Sequence, residues 1–168
     1  MRETRSPTSR PAVRSLGVAA LIALALSSPL SSADDGPHDK AIEARQAMFR
    51  LYGWNFGTLS AMAKEKAPYD AERAAAAAAN LDALANLDQD GFWPPGSDNE
   101  TEGNATTRAL PAIWETFPEI VEKADALKAS TATLKGTAGE GLDALRGAIG
   151  DVGGSCKGCH DDYRAERR

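Results

Sequence analysis

The chain has 168 residues, 42% of them hydrophobic, with 24 acidic and 19 basic side chains and a formal net charge of −5. That is enough chain for one domain with a real core. The acidic balance argues against nucleic acid and anionic membrane as partners.

The first stretch stands apart from that domain. Arg2, Arg5, Arg10 and Arg14 make a basic start, and the run from Leu16 to Leu26 is apolar. Ser31-Ser32-Ala33 then supplies the small residues a signal peptidase reads. The apolar run is too short for an ordinary transmembrane helix. Residues 1–33 are therefore expected to be a removable export signal, cut after Ala33, with residues 34–168 as the mature domain. Without the signal's four Arg and one Glu, 15 basic and 23 acidic residues remain, a net charge of −8. Export implies the periplasm, an oxidising compartment in which free thiols tend to pair.

Asp34-Asp35-Gly36-Pro37 is a breaker segment. From about Asp39 to Lys66 the pattern turns helical: Ile42, Arg45, Phe49, Tyr52, Phe56, Leu59 and Ala63 fall in alternating steps of three and four. Gly53 and Gly57 weaken this helix and are expected to let another helix or a cofactor come close. Pro68-Tyr69-Asp70 ends it, and Asp70 is the expected N-cap of a second helix reaching about Leu87. The run from Ala74 to Ala79 has high helix propensity and little bulk, which suits close helix packing. Leu81, Leu84 and Leu87 argue against a low-complexity linker.

From Asp88 to Arg108 the composition shifts to Gly, Pro, Asn, Asp and Thr. Loops this long usually have a role, here crossing between the ends of a bundle or covering a cofactor edge, with Phe92 and Trp93 tucked against the body. A third helix starts around Pro111, its stripe running through Ile113, Phe117, Ile120, Ala124, Leu127, Thr131 and Leu134. Pro118 marks a kink or a late start, and Gly136 the end. A fourth helix, from about Glu140, carries Leu142, Leu145, Ile149, Val152, Cys156, Cys159 and Tyr163 on one stripe. The period runs straight through Gly150, Gly153 and Gly154, which suggests that they make room for something. Four amphipathic helices and no strand pattern predict an all-α fold, an antiparallel four-helix bundle.

The last helix carries the chemistry. Cys156-Lys157-Gly158-Cys159-His160 sets two thiols three apart with a histidine directly after the second, and the chain has no other cysteine. This is the attachment pattern for c-type haem, in which two thiols add across the vinyl groups as thioethers and the adjacent imidazole ligates the iron. A zinc site would want a fourth ligand, and the other histidine, His38, is remote. A thiol–disulfide site usually opens a helix after a strand, and no strand precedes this one. A chance match is the third bland alternative. The pattern favours one covalent haem c, whose attachment consumes both thiols. With both cysteines on the inner stripe, the haem is expected within the bundle, where burial at about 25 cal/mol per Å² contributes several kcal/mol.

Arg45-Gln46, Pro68-Tyr69-Asp70, Thr107-x-Ala109-x-Pro111-x-Ile113-Trp114 and the segment from Gly150 to Arg164 occur in that order. With these pieces the sequence resembles the cytochrome c′ family, the class II c-type cytochromes, over nearly the whole mature chain. The resemblance implies a homodimer joined through helices one and two, Arg45 and Gln46 at the haem propionates, and Arg164 beside the proximal His160. Position i+4 on a helix agrees with the last. For Arg45 the bland alternative is a solvated arginine, against which stands its place on the apolar stripe, where an unpaired charge is expensive. Arg108 is either a loop contact to haem or a solvent-facing arginine.

The resemblance also bears on the iron's sixth position. Only eight residues follow His160, none of them Met or His, so a sixth ligand is expected from upstream, with His38, Met48 and Met62 as the candidates. In low-spin relatives a helix-one methionine three after the Gln of the Arg-Gln pair binds iron; here that position is Phe49, and Met48 points about 100° away round the helix. A five-coordinate, high-spin iron with Phe49 over its open face is therefore expected, favouring small uncharged gases such as NO or CO. The implied function is a periplasmic gas-binding haem protein, in NO binding or detoxification, without a turnover site. An electron-transfer role with redox partner proteins is the alternative, in a low-spin form like cytochrome c556 with a helix-one Met on the iron. A peroxidase-like enzyme would want a distal histidine, which helix one lacks after His38.

Overall fold

The computed structural model describes residues 36–166. Four long helices carry the fold: α1 (Asp39–Ala63), α2 (Ala71–Ala85), α4 (Phe117–Thr137) and α5 (Leu142–Tyr163), with a single-turn α3 (Ala112–Glu115) before α4. A 3-10 turn at Asp90–Phe92 lies in the long loop after α2. Among the described residues there is no strand, only an isolated antiparallel bridge between Ala109 and Arg164. No described helix is long and apolar enough to cross a membrane. The expected signal at residues 1–33 lies outside the described residues.

Local chemistry explains the breaks. The Asp70 side chain accepts from the Arg73 amide at 3.0 Å, capping α2. Pro118 sits in the first turn of α4, where its missing N–H costs nothing, and Thr116 separates α3 from α4. α5 begins after Gly141, whose φ of 135° a side chain would resist.

The helices form a ring in which α1 and α4 each pack against both α2 and α5. At one end Tyr69 joins two turns: its hydroxyl donates to the Ala138 carbonyl at 2.8 Å and accepts from the Gly141 amide at 2.9 Å. At the other end the long loop meets the start of α1, where His38 pairs with Glu102 at 2.6 Å, and the end of α5, where the Leu110 amide donates to the Tyr163 carbonyl at 3.1 Å. The topology is thus up, down, up, down, with the 86–111 connection capping the end where α1 starts and α5 finishes. It does not cross between ends.

Leu59, Leu81, Leu134, Leu145 and Val152 are essentially inaccessible and, with Met48 and Met62, make the main core. Ala74, Ala77 and Ala78 are buried as well, and their small side chains let the α4–α5 turn close in: a Cβ on Gly139 would lie 3.1 Å from that of Ala75. A smaller cluster of Ala109, Ile113 and Tyr163, with Trp93, Trp114, Ile120 and Cys159 packed on it, fills the loop end.

Several expectations need correction. The fully buried face of α1 is Ile42, Arg45, Met48, Tyr52, Asn55, Leu59 and Met62; Phe56 and Ala63 are only partly buried against that core, and Phe49 is 42% exposed. α1 stops at Ala63, short of Lys66, because Lys64 and Glu65 turn the chain, Glu65 with a φ of 54°. Phe117 is 67% exposed rather than part of the α4 stripe, since the helix starts there and its core face begins at Ile120. Gly136 does not end α4, which runs on to Thr137. Gly53, Gly57, Gly150 and Gly154 have no neighbour among the described residues within 4 Å of where a Cβ would sit, so no other described helix approaches them, whereas Gly153 admits Phe56. His38 is the N-cap of α1 and pairs with Glu102.

Tyr69→Phe keeps the ring and removes both hydroxyl hydrogen bonds at the joined turns. A loss of about 1–2 kcal/mol in unfolding free energy is expected by denaturant titration, with an unchanged m-value.

Candidate haem site

An α-helix places residues i, i+3 and i+4 on one face, and the last turns of α5 do this with Cys156, Cys159 and His160. Both thiols are unpaired and half-buried. Cys156 packs against the main core and Cys159 against the loop-end cluster, so the pair spans the two. Across from them stands α1. The Phe49 ring lies edge-on to the His160 ring with centroids 6.2 Å apart, and meets Tyr52 at 6.0 Å and Trp93 at 6.2 Å. Phe49 keeps 42% of its surface exposed, a large apolar ring turned from the core toward the imidazole. Farther along α1, Phe56 approaches Gly153, where a Cβ would sit 3.4 Å from Phe56 Cζ.

The electrostatics suit the same purpose. Burial pushes both thiols above the usual range, an effect that the charges of Lys123 and Arg164 partly offset at Cys159. The imidazole of His160 is held below its ordinary value by burial first, then by the cations Arg164 and Arg108. At neutral pH it is therefore an uncharged ring with a free lone pair, the form that binds metal. Two free thiols and a neutral imidazole on one wall, aromatic rings on the other, fit a flat apolar macrocycle carrying an iron.

The arginines expected around the haem have well-defined places. Arg45 is 2% exposed and bonds to the loop: Nη1 donates to Ser97 Oγ at 2.6 Å and to the Phe92 carbonyl at 3.3 Å, and Nη2 to the Ser97 carbonyl and to Thr107 Oγ1 at 2.9 Å. The solvated alternative does not apply. Burial works against its charge, and the carboxylates of Asp98 and Glu102 favour it. Gln46 also ties the loop, its Nε2 donating to the Thr106 carbonyl at 2.7 Å. Arg164 follows the last turn of α5 in extended backbone, so the helical i+4 argument fails for it; the bridge to Ala109 keeps its charge near His160. Arg108 is half-buried and donates from Nη1 to the Ala165 carbonyl at 3.3 Å. Of the candidate sixth ligands, Met48 and Met62 are 4% and 2% exposed in the main core, and His38 is paired with Glu102.

Trp93, Ser97 and Thr107 belong to this neighbourhood and were not singled out as site residues from sequence. An aromatic residue in an otherwise polar loop is a signal for Trp93. The two hydroxyls carry none, because their partner Arg45 lies 52 and 62 residues away.

Fold and site together define a c-type haem protein built on a four-helix bundle. The family model for cytochrome C' matches residues 40–164. A cytochrome c' from Cereibacter sphaeroides is 40% identical over 136 residues, 80% of this chain and 88% of its own length. The solved cytochrome c' from Rhodobacter Spheriodes superposes with a TM-score of 0.74 at 38% identity, covering 79% of this chain and all of that one. A nitric oxide complex of a cytochrome c prime variant from Alcaligenes xylosoxidans gives a TM-score of 0.66 at 33% identity, with 77% and 96% covered. The chain belongs to the cytochrome c′ family. It accordingly carries one covalently attached haem c, and the family's members are haem-binding proteins, one of them solved as a nitric oxide complex.

The raised thiols give a pH test on haem-free protein. Because the folded state favours the protonated thiol, folding should lose stability as pH rises above the free-thiol value of about 8.5. Alkylation of Cys156 and Cys159 should show a midpoint above that value when folded, and return to it in denaturant.

Proposed function

We propose that this chain is a periplasmic gas-binding haem protein, acting in NO binding or detoxification, in which His160 is the only protein ligand to the iron and Phe49 closes the opposite side. The haem, when bound, supplies an iron that coordinates a diatomic gas. The chain's own residues do the rest. Cys156 and Cys159 hold the group in place, and His160 stays neutral because burial and two nearby arginines disfavour its proton. Phe49, Tyr52 and Phe56 exclude water and offer no hydrogen bond to a bound ligand, except at the Tyr52 hydroxyl. Phe49, the ring that faces His160, has no donor to give a bound O₂, which favours NO and CO.

The carrying observation is the Phe49 ring facing His160 at 6.2 Å while Met48, one position earlier, is committed to the core. Ligation by Met48 would require α1 to rotate and empty that core position, so the electron-carrier reading has no support from α1. Residues 34–168 form the mature domain in this reading, released from the signal after Ala33. A homodimer through α1 and α2 is supported by Leu51 and Trp54 on α1 and Leu87 just past the end of α2, which are 53%, 71% and 46% exposed, an apolar set that a second copy would cover. No residue is assigned a catalytic turnover role.

Ferrous protein should give a high-spin spectrum that changes fully on adding CO; a low-spin spectrum indifferent to CO would sink the reading. Phe49→Ala should bind CO about tenfold faster or more, the equivalent of about 1.4 kcal/mol off the barrier, by flash photolysis. Trp54→Glu should turn a dimer into a monomer in sedimentation velocity while leaving the haem spectrum unchanged.

A further inference from the structure

Arg45 connects two parts of the molecule that are far apart in sequence. Its buried guanidinium takes hold of residues 92–107 at three points, Phe92, Ser97 and Thr107. The same group lies over the Trp93 ring, 4.7 Å from its centroid, within cation–π range. Trp93 is otherwise held by Gln89, whose Oε1 accepts from its Nε1 at 3.3 Å, and by Trp114, whose Nε1 donates to the Trp93 carbonyl at 3.0 Å and whose ring stands 6.4 Å away. The Trp93 ring meets Phe49 in a T-shaped contact, centroids 6.2 Å apart. Tyr52, the other ring beside Phe49 apart from His160, is on the same helix as Phe49 and moves with it. Trp93 and His160 are therefore the rings from other elements that limit where Phe49 can swing, and Arg45 stacks on the Trp93 face.

We propose that Arg45 is a positioning residue for the ligand side of the haem: by clamping residues 92–107 and stacking on Trp93 it fixes the stance of Phe49, and with it the rate at which a gas reaches the iron. This rests on the reading that Phe49 closes that side. It differs from a role as a counter-charge to haem propionates, because the clamp needs the planar, many-donor guanidinium. A lysine keeps the charge but is a compact ammonium with three donors, which cannot span these acceptors and stack flat at once. Ser97 and Thr107 distinguish the two roles further, since removing their hydroxyls weakens the clamp and leaves Arg45 itself in place.

The test uses the haem-loaded protein and compares wild type with Arg45→Gln, Arg45→Lys, the double variant Ser97→Ala/Thr107→Val, and Phe49→Ala. Three readouts are taken: CO association by flash photolysis, hydrogen exchange across residues 92–107, and the melting temperature. Both Arg45 variants and the double variant are expected to take up CO about threefold faster or more, with faster exchange across 92–107. Rescue of the wild-type CO rate by Arg45→Lys would overturn the proposal in favour of a charge role. So would a double variant with faster exchange and an unchanged CO rate. A lowered melting temperature alone, with the CO rate unmoved, would mark Arg45 as merely structural. Should the Arg45 variants fail to fold, the double variant carries the test by itself. Phe49→Ala separates the two layers: if it leaves CO association unchanged the gate reading falls, whereas if it alone accelerates CO the clamp falls and the gate stands.

Discussion

A flat apolar group anchored by two thioethers on one helix cannot be packed like an ordinary side chain; the bundle must stay open beside that helix and still be closed everywhere else. The constraint explains the division of α1. One edge of its inner face, Met48, Tyr52, Leu59 and Met62, completes the core with α2, α4 and α5. The adjacent edge, with Phe49 and Phe56, turns toward the last turns of α5. Phe56 packs partly against the core, while Phe49 keeps apolar surface turned to the site. At the far end of the bundle Tyr69 ties both turns together, and the buried alanines of α2 let them pack closely.

Charge is handled by the same geometry. The polar long loop would have little reason to lie against an apolar site, yet α1 holds it through His38, Arg45 and Gln46, three side chains along its first turns. A buried guanidinium alone is costly, and removing one partner of such a network costs more than the network's net worth. Here its donors are met by loop hydroxyls and carbonyls, so the cost of burying Arg45 is offset by ordering the loop. The other end of that loop is laced to Tyr163, Arg164 and Ala165, just past His160. One connection thus touches both the helix that bears Phe49 and the end of the helix that bears His160.

How much of this was legible in the sequence depends on distance along the chain. The haem motif was fully readable, because its chemistry needs residues three and four apart on one helix. Helix existence and order were readable from the period, and so was the Asp70 cap. The phase of α1 was harder: Phe49 and Phe56 run beside Met48 and Asn55 one step out of register, and the period alone does not say which edge meets core and which meets cofactor. Arg45 was recognised as a charge that could not be left unpaired, but its partners lie across a loop whose residues follow no period. The i+4 reading of Arg164 failed for a related reason, since the helix ends one residue earlier and a bridge, not helix geometry, sets its position.

The central claim is that His160 is the iron's sole protein ligand, with an aromatic ring where a sixth ligand could have stood. Electron paramagnetic resonance of the ferric protein at low temperature tests it most directly. A high-spin axial signal, unchanged in Met48→Leu, is the predicted result. A low-spin rhombic signal that converts to high spin in Met48→Leu would contradict it.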